Sequence, residues 1–399
     1  MKEKKKILIA GSGHGDIPLI VAAQNLGFYV ITTGNQPDGP NGLGIEYSDE
    51  YYCEDYSNKE RMLELAKKLE IDAICPCTND FSAISTAYVA EKLDLPGHDS
   101  YETTLKLHHK DQFRQFALEN NIPSPFAKSY NNIKNALNSI NKYEFPLIVK
   151  PIDMSGGKGV SKITSKTEYK KAVKDAFSIS RANRIVIEEY VEGTQHSFSA
   201  FLRDGKVVFH YGDNEYSHWN PYFVSTSSTP ALVSEKVNKR LIEISEKIST
   251  LLSLSTGVFH IQYLLTDNGL KIIEITRRCP GDLYTYPVNY STGIDYAKWI
   301  VKAAAGMDCS ELNYSPSKRK GYFIRHCVMS PESGKVTDII FDKSIKDKII
   351  EKFMWWEKGD LIENVMTTKL GIVFFQFDSL EEMKDKTRKI NELIKVQLK

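Results

Sequence analysis

Cysteine is sparse and unpatterned. Six residues in 399, with no repeated spacing, exclude the disulfide framework that staples small secreted domains. Cys75 and Cys77 form C-x-C on an apolar segment that reads as a buried strand. Two small core residues are favoured there over a metal or redox pair. Long hydrophobic runs are also missing: none approaches the ~20 residues of a membrane helix. Behind the basic opening, the apolar run from Ile7 to Ala10 is too short for a signal-peptide core. A cytoplasmic protein with no membrane partner is expected.

Charge of one sign is not in excess either. Lys and Arg number 52 against 51 Asp and Glu, which leaves no broad basic face for nucleic acid. Aromatic residues make up 11% but do not interleave with Arg and Lys. The Walker pattern G-x-x-x-x-G-K-[ST] does not occur at the glycine cluster discussed below. "GSGHG" near the start is G-x-G-x-G, and the second strand closes on Thr32, Thr33 and Gly34 without an acid. A nicotinamide site is therefore disfavoured. No G-x-S-x-G elbow and no evident Cys-His pairing offers a covalent nucleophile.

What remains is a chain long enough for two or three domains. "KILIAG", "FYVITTG" and "IDAICPC" read as buried strands, separated by the helical segments "DIPLIVAAQNLG" and "NKERMLELAKKLEI". That succession predicts an open, doubly wound parallel sheet. The texture changes from "HHKDQFRQFALENNIPSPF", a helix halted before Pro123. Beyond it are a short helix near 132–141, the strand "PLIVK", a glycine loop, "VSKITS", another helix and "RIVIEEYVEG". A hairpin with Asp-Gly at its tip comes next, then a long helix over 235–252 and a second hairpin with Asn-Gly. After "SPSKRK", a plausible linker, short strands and two helices complete the chain. The fold class is thus α/β: a doubly wound domain (1–112), a two-subdomain α+β unit (113–315) and a small C-terminal α+β segment (316–399).

Three stretches could carry chemistry. In "VKPIDMSGGKGVSKI", consecutive glycines let backbone N–H groups converge on phosphate oxygens, with Ser155 and Lys158 as further donors. Lys150, near a strand end, is a better-placed cation than a loop lysine. A basic surface hairpin is the bland alternative. "VIEEYVEG" sets Glu188 and Glu189 at the end of an apolar strand, either as an exposed strand end or as a hinge meeting an adenine edge. In "HIQYLLTDNGLKIIEITRR", cross-strand pairing can join Gln262 to Glu274, with Thr276 and Arg278 on the face of Glu274. Such an oxygen-rich patch suits Mg²⁺; a solvated sheet face is the alternative. Asn79 and Asp80 lie at a strand's carboxyl end, where open sheets bind ligands. Residues 216–230 form a polar, aromatic segment that is either a recognition element or a surface loop.

The order and spacing of these pieces, from residue 1 to about 315, resemble the ATP-grasp superfamily, in particular its carbamoyl phosphate synthetase, biotin carboxylase and glycinamide ribonucleotide synthetase-like ligases. The resemblance implies two subdomains that clamp ATP with Mg²⁺. It assigns Lys110 and Lys150 to the phosphates and Ser155, Gly156, Gly157, Lys158 and Gly159 to a lid over them. Glu188, Glu189, Tyr190 and Val191 would form the adenine hinge, and Gln195 or His196 would meet the ribose. Gln262, Glu274 and Thr276 would hold metal, while Arg278 steadies an acyl phosphate. Gln262, Thr276 and Gln195 stand where relatives usually carry an acid, Asn and Glu. The implied activity is an ATP-dependent carboxylate–amine ligase, with small-molecule acid and amine substrates and a homodimer as the common assembly. A purine-biosynthesis-like ligase, or a non-catalytic ATP-binding sensor suggested by the neutral residues at the metal positions, is the alternative.

Overall fold

The computed structural model describes residues 4–154, 157–314 and 319–399. It opens with β1 (Lys6–Ala10), α1 (Ile17–Asn25), β2 (Tyr29–Thr33), β3 (Glu50–Tyr52), α2 (Lys59–Leu69), β4 (Ala73–Pro76) and α3 (Asp80–Leu93). The four strands are all parallel, in the order β3-β2-β1-β4. Alternation along β1 explains the double winding. Ile7 and Ile9 pack towards Leu19 and Ala23 of α1, whereas Leu8 and Ala10 pack towards Met62, Ala66 and Val89 of α2 and α3. Both faces are buried, so the strands read as continuous apolar runs. The three-residue β3 lacks that signature and was not foreseen.

Next are α4 (Tyr101–His108), α5 (Lys110–Glu119), β5 (Ala127–Tyr130), α6 (Ile133–Asn138), β6 (Leu147–Pro151), β7 (Ser161–Ile163), α7 (Lys166–Ile179) and β8 (Ile185–Glu189). β5, β8, β6 and β7 make a small antiparallel sheet in that order. Tyr169, Val173 and Ala176 of α7 cover one face of it.

The remaining elements are β9 (Thr194–Arg203), β10 (Lys206–Tyr216), β11 (Thr226–Thr229), α8 (Glu235–Leu252), β12 (Gly257–Thr266), β13 (Gly269–Thr276), α9 (Thr285–Thr292), α10 (Tyr296–Ala304), β14 (Tyr322–Val328), β15 (Gly334–Phe341), α11 (Lys343–Lys346), β16 (Ile349–Met354), β17 (Leu361–Ile362), β18 (Gly371–Phe377), α12 (Leu380–Leu393) and β19 (Ile394–Leu398). The Asp-Gly hairpin forms as expected. Asp204 and Gly205 both have positive φ (52° and 77°), the signature of a type I′ turn whose twist suits the flanking strands.

Eight of these strands form one sheet, β13-β12-β9-β10-β11-β14-β18-β16. The segment 316–399 is therefore not a layer apart: three of its strands continue the sheet begun by β9 to β13, and β15, β17 and β19 form a separate three-stranded sheet. Residues 216–230 are likewise not a single loop. Thr226 to Thr229 are a buried strand between β10 and β14, with polar side chains satisfied by neighbours. Asn214 Nδ2 donates to Ser228 Oγ (3.1 Å) and Thr226 Oγ1 pairs with His326 Nδ1 (2.7 Å). Among the described residues no helix is long and apolar enough to cross a membrane.

Candidate functional site

The large sheet has one apolar and one polar face, and strand parity decides which residues go where. Phe198, Ala200, Phe259 and Ile261 pack under Leu241, Ile244 and Ile248 of α8. Their neighbours point the other way. Glu274 lies opposite Gln262, Gln262 opposite Ser197, and Ser197 opposite Asp213. Alternating positions on β9 and β10 add Gln195 and Glu215, and Glu215 lies opposite Ser227, itself opposite Arg325. The pairing of Gln262 with Glu274 expected from the hairpin is thus present. A register shift follows at Gln262 and Tyr263, and the carbonyl of Ile273 beside it accepts from Arg114 Nη2 (2.8 Å). Bulges of this kind re-aim groups next to functional sites.

Cations collect where the small sheet meets this face. Lys110, the first residue of α5, reaches Glu274 Oε1 (2.9 Å) and the carbonyl of Met154 (3.0 Å). One turn on, Arg114 Nε donates to Glu188 Oε2 (3.0 Å). Lys150 donates to the other oxygen of Glu188. Lys150, Arg114 and Glu188 are all buried. Burial draws the Lys150 ammonium down to about 8 against the pull of Glu188, with Arg114 and Lys110 adding to the fall. Burial alone would raise the Glu188 carboxyl, but Arg114 and Lys150 outweigh it and hold it low. Lys110 is held above its ordinary value, because Glu274 and Asp80 outweigh its burial. Three cations thus face two carboxylates, and Arg114 Nη1 is buried without a partner. Buried positive charge in excess of its partners favours an anion.

This arrangement alters the reading of Glu188. Its two oxygens each accept from a cation, so it is an ion-pair hub rather than a free acceptor for an adenine amino group. The hinge backbone is partly engaged too: the N–H groups of Glu189 and Tyr190 donate to the carbonyls of Phe126 (3.0 Å) and Pro146 (3.2 Å). Ser155 and Gly156 lie outside the described residues. Gly157, Lys158 and Gly159 form a turn after β6, with φ of +74° at Gly157 and +70° at Gly159. A Cβ at Gly157 would lie 2.7 Å from the main chain of Tyr222. Tyr222 Oη in turn accepts from the N–H of Lys162 in β7 (2.7 Å). The polar loop before β11 therefore holds the glycine turn.

Two consecutive arginines follow β13, and their surroundings separate them. Arg277 is locked into the framework by Asp99 (2.6 Å) and by the carbonyls of Ser255 (2.7 Å) and Val258. Arg278 meets Asp80 (3.0 Å) and the carbonyl of Cys279. Asp80 also accepts from His108 Nδ1 (3.1 Å), whose Nε2 accepts the Arg277 N–H (3.2 Å). That second bond places the ring proton on Nδ1. Burial would raise the Asp80 carboxyl, but Arg278 and His108 hold it well below the usual range.

Gln195 and Gln262 both donate to Glu215 (2.9 Å each), a contact that the sequence reading missed. Burial and nearby Asp213 push the Glu215 carboxyl up to about 7. The period-2 pattern Tyr211, Asp213, Glu215 was the available signal. His196 does not join this group. It points to the opposite face, stacks on Tyr263 (5.5 Å between ring centroids) and pairs with Thr194; burial draws it down to about 4. Parity corrects the expectation that it could stand in for Gln195.

A second unforeseen cluster centres on Asp282, where Lys369, His14 (3.4 Å) and Arg325 (3.8 Å) converge. Asp282 and Leu283 both have positive φ (58° and 57°). Non-glycine residues held so cost on the order of 1–3 kcal/mol each and cluster at functional sites. Among the described residues no three His, Cys, Asp or Glu side chains gather to hold a metal. The oxygen set available is mixed: the Glu274 carboxylate, Gln262 Oε1 and the buried, unpartnered hydroxyl of Thr276. A hard cation that keeps water and phosphate ligands fits such a set.

Residues 143–285 match the family described as ATP-grasp domain. Over 399 aligned residues the chain is 23% identical to the arginine-specific large chain of carbamoyl phosphate synthase from Bacillus subtilis. That alignment covers 91% of this chain and 38% of that protein, so the chain spans well under half of the relative's length. Among solved structures, an L-amino acid ligase from Bacillus licheniformis superposes with a TM-score of 0.80 at 18% identity, covering all of both chains. The biotin carboxylase domain of a 2-oxoglutarate carboxylase from Hydrogenobacter thermophilus, solved with MgADP and bicarbonate, gives 0.77 at 18%. It covers 100% of this chain and 92% of that one. At such identities the likeness is one of fold.

Proposed function

Because the chain belongs to the ATP-grasp superfamily, we propose that it is an ATP-dependent carboxylate–amine ligase, forming an amide through an acyl phosphate and releasing ADP and phosphate. The observation that carries this reading is the convergence of Lys110, Arg114 and Lys150 beside the face that bears Glu274 and Gln262. A net positive, buried floor next to an oxygen-rich strand pair is what a Mg²⁺–triphosphate requires. The two solved structures of like fold, an L-amino acid ligase and a carboxylase domain with MgADP, support it.

In this reading Lys150 and Lys110 hold the phosphates, and the turn at Gly157 to Gly159 closes over them. The hinge that follows Glu188, from Glu189 to Val191, and the side chain of Gln195 orient the nucleoside. Glu274, Gln262 and Thr276 would hold Mg²⁺, which when bound neutralises phosphate charge. Arg278, kept in place by Asp80, faces the acyl phosphate and the oxyanion formed as the amine attacks. Positioning and charge stabilisation supply nearly all the catalysis in such phosphoryl transfer. No enzyme nucleophile is needed.

The test is phosphate release from ATP and Mg²⁺ with pooled small carboxylates and amino acids. Release that needs both an acid and an amine, and is lost in Glu274→Ala, supports the ligase. ATP binding without release in any pool would instead support a nucleotide sensor, which the neutral Gln262 and Thr276 favour.

A further inference from the structure

We propose that Glu215 is a positioning residue that fixes the direction of two side-chain amides at once, so that Gln195 and Gln262 both turn carbonyl oxygen towards the nucleotide. The inference rests on the ligase reading. A side-chain amide offers a donor end and an acceptor end, and which of them faces a ligand depends on what holds the other. Glu215, on the third strand of the group, lies within reach of both. Gln195 Nε2 donates to Oε2 (2.9 Å), while Gln262 Nε2 donates to Oε1 (3.1 Å) and Oε2 (2.9 Å). An amide NH₂ only donates, so at both contacts the Glu215 oxygens accept and each glutamine turns its nitrogen to them. The Oε1 atoms are left on the other side.

The consequence bears on the two positions where a neutral residue stands in for the acid that the family resemblance leads one to expect. An amide oxygen polarised by a hydrogen bond at its nitrogen is a better ligand for a cation and a better acceptor for a hydroxyl. One carboxylate on β10 thus serves two neighbours: the metal end through Gln262 and the ribose end through Gln195. Among the described residues Glu215 itself makes no ion pair. Its carboxylate is held by the two amides, with Arg325 reached across Ser227.

The experiment compares the full-length protein with Glu215→Met, Glu215→Gln and the exchange variant Glu215→Gln/Gln262→Glu. Calorimetry reads ATP against 2′-deoxy-ATP, and electron paramagnetic resonance reads Mn²⁺ in the presence of ADP. In Glu215→Met, which removes both acceptors, the preference for the 2′-hydroxyl shrinks towards unity and Mn²⁺ binding weakens by about tenfold or more, the size of a lost buried hydrogen bond. Glu215→Gln keeps an acceptor oxygen near both amides and retains most of each. The exchange variant conserves every side-chain volume and keeps Mn²⁺ binding, because residue 262 now carries the carboxylate. Unchanged preference and unchanged Mn²⁺ affinity in Glu215→Met would overturn the proposal. So would loss of Mn²⁺ in the exchange variant, which would make Glu215 a ligand rather than an anchor. Failure of the unaltered protein to bind ATP would overturn the ligase reading itself.

Discussion

Asp80, the first residue of α3, holds Arg278 at 3.0 Å across the contact between the parallel sheet and the large one. The pair joins the carboxyl end of β4 to the second residue past the Glu274 strand. Removing one partner of a buried pair leaves an uncompensated charge and costs about 3–5 kcal/mol, towards the lower end here because neither side chain is wholly buried. Asp80→Asn is expected to lower the melting temperature by a few degrees and turnover by more than tenfold. Calorimetry and phosphate release check the two. The sign with pH follows from the depressed carboxyl. Its stabilisation is present above the unfolded carboxylate range near pH 4 and fades as pH falls further, so the variant is less acid-sensitive.

Arg277 and Arg278 should differ in what their loss does to activity. Arg277→Ala breaks the buried pair with Asp99 and two carbonyl bonds. A loss of about 3–5 kcal/mol is expected, with the nucleotide affinity of the folded fraction unchanged. Arg278→Ala breaks the pair with Asp80 and also loses stability, but in its folded fraction it should abolish turnover while leaving ATP binding in place. Denaturant melts and ATP titration on the same two proteins decide it.

Nucleotide affinity should fall as pH rises through about 8. Burial draws the Lys150 ammonium down to that value. Below it the lysine is already protonated; above it, binding a phosphate requires proton uptake. Calorimetry in buffers of different ionisation enthalpy should detect close to one proton taken up at pH 9 and nearly none at pH 6.5. Lys150→Met should bind ATP weakly and lack this dependence.

Gly157→Ala should weaken ATP binding by roughly tenfold with little change in melting temperature. The residue has φ +74° and no room for a Cβ against Tyr222, a strain of about 1–3 kcal/mol. Tyr222→Phe removes only the bond to the Lys162 N–H, and its effect should be smaller. ATP titration of both variants, with protease cleavage after Lys158 as a second readout, tests the link.

Much of the fold was legible because its signals are local. Continuous apolar runs gave the parallel strands, Asp204-Gly205 gave a hairpin, and α8 spans Glu235–Leu252 as its periodicity predicts. Gln262 and Glu274 could be paired because a single turn joins them. Asp282 and the continuation of the sheet through β14 were not legible, since each depends on contacts distant in sequence; for Glu215 the period-2 pattern showed its face but not its partners. β11 was hidden for another reason: Thr-Ser-Ser-Thr carries no hydrophobic signal, and its burial rests on hydrogen bonds to Asn214 and His326. His196 was misplaced by neglecting parity, which puts adjacent residues of a strand on opposite faces.

The eight-stranded sheet imposes an order on synthesis. β11, four residues long, is bonded on one side to β10 and on the other to β14, which in turn needs β18. A nascent chain that has produced Glu274 and Gln262 still presents an open edge at β11, one strand beyond Asp213 and Glu215. That edge is covered once β14 has emerged, and β14 stays open in turn until β18 follows. Unpaired edges of this kind recruit other strands, so the polar face is finished, and guarded, by strands made well after its own residues.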